Sequence, residues 1–142
     1  MVTPVWHTIL IEDVYIMTAH DVDEWVAQYE AAWRDPQTAV LEKLFEKGAV
    51  YIPSPWRRPL RGLKEISDFW AKAGGGSGER FTMRHELASH SQETAVIRIF
   101  VDYEDGEQWR DLWIVSFSKS GKASRFEEWP FKSDQALSLI HI

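Results

Sequence analysis

The 142-residue chain contains no cysteine. That excludes disulfides, thiol nucleophiles and thiolate metal sites, and it leaves the redox compartment open. No window approaches the roughly 18 consecutive apolar residues of a membrane helix. The start, Met1 to Trp6, has no basic stretch ahead of a long apolar run, so no signal peptide is expected and the default location is cytoplasmic. Excess positive charge is missing too: 16 Lys and Arg face 22 Asp and Glu, a net charge of -6. That balance disfavours a phosphate-backbone binder, and the one tight basic cluster, Arg57-Arg58 with Arg61, reads as a loop or helix entrance. The glycine run Gly74-Gly75-Gly76-Ser77-Gly78 lacks the Gly-Lys-Ser/Thr ending of a phosphate loop, and no dinucleotide fingerprint occurs. His7, His20, His85, His90 and His141 show no His-x-x-x-His spacing or matched acids, so neither a metal nor a cofactor is expected.

Large aromatic residues are abundant. Eight Trp and seven Phe can fill a core, line an apolar pocket or cover a subunit interface. The length suits one domain.

Residues 9 to 17 are apolar but for Glu12-Asp13 and fit either helix or strand. A first helix is expected after Asp21 as N-cap, with Glu24 at capping-box spacing and an aromatic stripe of Trp25, Tyr29 and Trp33. Pro36 suits the first position of a second helix, which would bury Val40, Leu41, Leu44 and Phe45 and stop at Gly48. Ala49 to Ile52 reads as a short strand closed by Pro53, followed by an irregular segment around Trp56. Leu63, Ile66 and Trp70 mark a third helix after Gly62.

From Phe81 onward the period changes to two. Phe81, Met83, His85 and Leu87 share one face of a strand, and Ala95, Ile97, Ile99 and Val101 share one face of the next. Asp105-Gly106 signals a hairpin into a strand over 107–118, and a turn at Gly121 leads to a last strand from Ala123. Helices followed by antiparallel strands imply an α+β domain. The most telling run is Trp109 to Phe117, where alternation puts Trp109, Asp111, Trp113, Val115 and Phe117 on one face. A carboxylate between two indoles is costly unless paired or neutral. Either it marks a pocket, or it lies near a strand end, wet or bonded to neighbouring backbone.

This order resembles the nuclear transport factor 2-like superfamily, especially its SnoaL-like members. The resemblance rests on Leu44-Phe45-Glu46-Lys47-Gly48-Ala49-Val50-Tyr51, Leu60-Arg61-Gly62-Leu63-Lys64-Glu65-Ile66, Phe69-Trp70, Trp109 to Phe117, and Phe126-Glu127-Glu128-Trp129-Pro130-Phe131. It implies a cone-like fold with N-terminal helices on a strongly curved, mostly antiparallel sheet. It divides the chain into an extension (1–20), the α+β domain (21–131) and a tail (132–142). It also implies a homodimer and a hydrophobic small-molecule partner.

The activities of such relatives fit these residues unequally. Steroid-isomerase-like relatives carry a base Asp near the end of the first strand, where Ser54 is the nearest match here, and a hydroxyl cannot replace a carboxylate base. Epoxide-hydrolase-like relatives set an Arg between two acids. Glu128 falls near the last-strand acid, and Arg98 with Asp111 is the available substitute. A cyclase-like site needs one buried acid, either Asp111 or Glu128.

The expected activity is therefore cofactor-free isomerisation, cyclisation or dehydration of a hydrophobic carbonyl-bearing or cyclic compound. Asp111 would be the acid or base, His85 its partner and Glu128 a polar anchor. Tyr29, Trp33, Tyr51, Trp56, Arg98, Trp109 and Trp113 would line the substrate site. His85 could equally be a structural histidine, and the aromatics could simply be core. The rival readings are a non-catalytic dimeric binding module and, more weakly, an epoxide hydrolase. No nucleic-acid or membrane partner is expected.

Overall fold

Period-two segments in the second half and apolar stripes in the first fold into a sheet covered on one face by helices. In the computed structural model, residues 9–11, 14–35, 38–73 and 80–134 are described. Pro36 and the run 74–78 lie outside the described residues. β1 (Ile9–Ile11) and β2 (Val14–Ile16) pair antiparallel as a separate hairpin. α1 (Ala19–Arg34) follows, then a 3₁₀ turn (Thr38–Val40), the short α2 (Leu41–Leu44), β3 (Phe45–Ile52), β4 (Leu60–Arg61) and α3 (Gly62–Ala73). Four long strands complete the chain: β5 (Phe81–Ser91), β6 (Thr94–Tyr103), β7 (Gln108–Phe117) and β8 (Ala123–Lys132). No described helix is long and apolar enough to cross a membrane.

The large sheet has the order β4-β3-β8-β7-β6-β5. The structure does not form the strongly curved cone that the resemblance implies. The sheet is open, without strong curvature, because β4 and β5 are its two edges and do not meet. It is also mixed, since β3 runs parallel to β8 while the other neighbours are antiparallel. A two-residue β4 that passes directly into α3 offers too little strand to close the sheet on β5.

Two helix boundaries also differ from expectation. Thr18, not Asp21, caps α1. The Asp21 N–H donates to Thr18 Oγ1 at 3.2 Å, and the Thr18 N–H donates to the Asp21 carboxylate at 3.0 Å. Asp21 therefore serves as the third residue of a reciprocal capping box, satisfying two orphan donors at once. The second helix ends at Leu44, because Phe45 is already in extended backbone, and Gly48 lies inside β3 and does not stop a helix. Leu41, Leu44 and Phe45 are buried as expected, with Val40 partly so. The Asp105-Gly106 hairpin forms: Gly106 has φ 99° and its N–H donates to Tyr103 O at 3.0 Å. That backbone conformation favours glycine.

Trp25 is the hub of the core. From α1 it meets Phe45, Trp113, Phe117 and Phe126 edge-on, with centroids 5.5–6.2 Å apart, and its Nε1 donates to Leu44 O at 3.0 Å. Val22, Val26, Tyr29 and Ala32 complete the buried stripe of α1, while Ile66 and Trp70 supply that of α3. The inner residues of β6 and β7, from Ala95 and Ile97 to Val115 and Phe117, form the floor.

Candidate active site

Beyond the part of the sheet that Trp25 covers, the same strand alternation continues and the inner face stays open. β7 presents Trp109, Asp111 and Trp113 inward. Register places Ile99 of β6 and Pro130 of β8 beside Asp111, and Glu128 of β8 beside Trp113. Glu128 faces inward because β8 is irregular opposite Ser116 and Phe117, so that Ala123 and Phe126 are both buried. Its neighbour Glu127 points outward to Arg125, 3.9 Å away. Pro130 has no N–H to offer a sheet, and it falls beyond Glu127, the last β8 residue paired with β3. With Tyr29 and Trp33 of α1 as roof, these strands enclose a cavity of about 340 Å³.

Two partly buried carboxyl groups share this cavity, with the exposed Glu107 at its rim. Burial raises Asp111 to about 6, an effect partly opposed by the Trp113 indole and the Phe131 backbone N–H. Burial raises Glu128 further, to about 8, and the neighbouring Asp111 charge pushes in the same direction. The Tyr51 hydroxyl donates to Glu128 Oε1, which works against that rise. Tyr51 and Tyr29 are in contact, and burial first, then Glu128, holds both phenols well above their ordinary range. They remain neutral hydrogen-bond donors near neutral pH.

Polar capacity is left over. Asp111 Oδ1 and Trp113 Nε1 are both buried without a hydrogen-bond partner. The indole N–H lies close enough to both carboxyls to lower their pKa values, yet forms a well-made bond with neither. An acceptor and a donor are thus left near one another at the cavity wall without a well-made bond.

Of the residues expected at the site, the structure brings together Asp111, Glu128, Tyr29, Trp33, Trp109 and Trp113 around the cavity. Tyr51 stands behind Glu128 as its donor. Three others go elsewhere. His85 shares the inner face with Asp111, but Ile99 lies between them in register, and its Nε2 sits 2.7 Å from Asp23 Oδ1 on α1. Arg98 alternates outward between buried Ile97 and Ile99, so no trio with Asp111 and Glu128 forms. Trp56 is 95% exposed, at the tip of a turn closed by Arg57 N–H donating to Ser54 O.

The cavity also recruits residues that the sequence reading passed over. Phe81, Met83, Ile99 and Val101 looked like ordinary core, and their strand phase was the only signal available. Tyr103, the last residue of β6, continues the inward phase of Ile99 and Val101, whereas Glu107 comes from the β6–β7 connection, whose side chains no periodicity directs. Among the described residues, no group of three or more His, Asp or Glu side chains is placed to hold a metal ion.

Solved structures share this arrangement of elements. A candidate isomerase of the SnoaL-like family from Agrobacterium tumefaciens aligns with a TM-score of 0.63 at 15% identity, covering 79% of this chain and 98% of that one. A steroid delta-isomerase from Pseudomonas aeruginosa aligns with a TM-score of 0.61 at 15% identity, covering 89% and 90%. The chain shares the fold of these SnoaL-like and steroid-isomerase structures. The epoxide hydrolase/cyclase-like enzyme SalBIII, of pyran ring formation in the polyether salinomycin, shares the fold with a TM-score of 0.62 at 9% identity, covering 79% and 92%. Neither a family model nor a curated protein matches the sequence. At these identities the likeness concerns the SnoaL-like fold, and the site must speak for the chemistry.

Proposed function

We propose that this protein is a small-molecule enzyme that moves a proton within a hydrophobic carbonyl-bearing or cyclic substrate by acid/base catalysis without a cofactor. The observation that carries the reading is the pair of carboxyls in one apolar cavity, raised to different levels, about 6 for Asp111 and about 8 for Glu128. Near neutral pH the first is largely ionised and the second largely protonated, which assigns the base to Asp111 and the acid to Glu128.

Asp111 Oδ1, which has no other partner, would take the proton. Glu128, held by Tyr51, would donate to the oxygen on which charge develops. The indoles around them exclude water and so strengthen those contacts. The fold is shared with proteins described as isomerases, a cyclase and an epoxide hydrolase/cyclase-like enzyme, which agrees with isomerisation, cyclisation or dehydration. Ring opening of an epoxide fits less well, because Arg98 lies on the opposite face from the two acids.

Exchange of α-protons for deuterium in a panel of small cyclic ketones, followed by NMR in heavy water, tests the reading. Wild type is expected to catalyse exchange into at least one ketone, and Asp111→Asn to slow it by about 10²–10⁴-fold while remaining folded. Unchanged exchange in folded Asp111→Asn would remove Asp111 from the base role.

The homodimer implied by the resemblance belongs to this proposal as well. Trp129 and Phe131 alternate outward on β8, 38% and 53% exposed, on the face away from the helices. A second copy covering that face predicts a dimer in sedimentation that Phe131→Glu dissociates.

A further inference from the structure

The cavity has an unusual balance of charge. Asp111, Glu128 and Glu107 line it, and no Lys, Arg or His does so among the described residues. The rest of the wall is largely aromatic, with Tyr29, Trp33, Phe81, Tyr103, Trp109 and Trp113 in it. The nearest ammonium, on Lys132, stays at the rim. It is 3.4 Å from Glu107 Oε2 and 5.4 Å from the centre of the Trp109 ring, held by one carboxylate and one aromatic face.

A cation benefits from both partners, since ring faces attract it through their quadrupole and carboxylates through charge. A carboxylic acid or phosphate would instead face the Asp111 charge, with only Lys132, already paired to Glu107 at the rim, as a counter-ion. Trp113 supplies an independent indication of a ligand. It is 3% exposed, lines the cavity, and its Nε1–H has no partner. The two carboxyls beside that N–H lie near enough to feel it but make no well-formed bond with it, so a better-placed ligand oxygen would satisfy it.

We infer that the ligand of this cavity carries a protonated amine that sits against the aromatic walls and is drawn by the Asp111 charge without occupying Oδ1, the atom that takes the proton, and, two or three bonds away, an oxygen acceptor for the Trp113 indole N–H. Amino alcohols and amino ketones built on a ring have this form. The inference rests on the proposed function in taking the cavity as the substrate site, and it narrows the substrate class to compounds with a basic nitrogen. Ring and ammonium then occupy the aromatic box, while the oxygen lies toward Trp113 and Glu128.

Two probes of nearly equal shape separate the alternatives: 2-amino-1-phenylethanol, cationic, and 1-phenyl-1,2-ethanediol, neutral. Calorimetry at about pH 8 gives their affinities, because aliphatic amines remain protonated there. Indole resonances in ¹H–¹⁵N spectra report whether the Trp109 and Trp113 side chains sense the probe. The amine is expected to bind about tenfold more tightly than the diol and to shift both indoles. Asp111→Asn should bring the two affinities within about twofold of each other. Glu107→Gln, at the exposed rim, should weaken the amine by about twofold, so a second variant is available if Asp111→Asn does not fold.

Equal or tighter binding of the diol by wild type overturns the amine inference and leaves the cavity reading standing. A preference for the amine that survives intact in folded Asp111→Asn overturns it as well. If neither probe binds or moves the indole resonances, the amine inference and the cavity reading fall together.

Discussion

Replacing Asp111 by Asn should stabilise the protein at mildly alkaline pH and do little at acid pH. The carboxyl moves from its ordinary 3.8 to about 6 on folding because burial penalises its charged form. At roughly 1.4 kcal/mol per pH unit, that corresponds to about 3 kcal/mol. The sign follows from proton binding. Between the two values the folded state holds more protons than the unfolded one, so stability is greatest below about pH 4 and is lost as pH rises through about 6. Asn keeps the shape, can still accept from the Phe131 N–H, and carries no charge to bury. The stability of the variant relative to wild type should therefore climb by about 3 kcal/mol between pH 4 and pH 7.5. Urea unfolding at a series of pH values measures this, provided both proteins keep the same m-value. A stability difference that stays flat over that range would refute the reasoning, because Asp111 would then be as hydrated in the folded state as in the unfolded chain.

Three further outcomes are expected. Tyr51→Phe removes the hydroxyl that lowers Glu128, so the Glu128 pKa should rise above about 8 and the alkaline limb of any pH–rate profile should move with it. Thr18→Ala breaks the capping box of α1 and should cost about 1 kcal/mol in urea unfolding. Trp56→Ala, at a position 95% exposed, should change stability by less than about 0.5 kcal/mol in the same assay despite the size of the deletion.

The half of the site on β7 was legible because a strand period of two leaves no freedom. Once Trp113 and Val115 are core, Asp111 must face the same way. Glu128 was less determinate, since its facing depends on the irregularity between β7 and β8 near Ser124, and no local residue pattern announces it. His85 shows the limit of the approach. Its strand phase was read correctly, but whether it met Asp111 or Asp23 depended on where α1 lay over β5, a tertiary fact. The cap of α1 shows competition between neighbouring signals: Thr18-x-x-Asp21 and Asp21-x-x-Glu24 have the same spacing, and the first one forms. The strong curvature of the sheet came from resemblance alone and failed, because nothing in the short β4 segment could decide how far the sheet bends toward its other edge.

The proposed chemistry depends most on two carboxyls in one cavity that titrate apart. Carbon-detected NMR of the side-chain carboxyls of Asp111 and Glu128, titrated from pH 3 to 10 and assigned through Asp111→Asn and Glu128→Gln, measures this directly. The prediction is two separate steps, near 6 and near 8. Titration of both groups near about 4, as in solvated peptides, would contradict it.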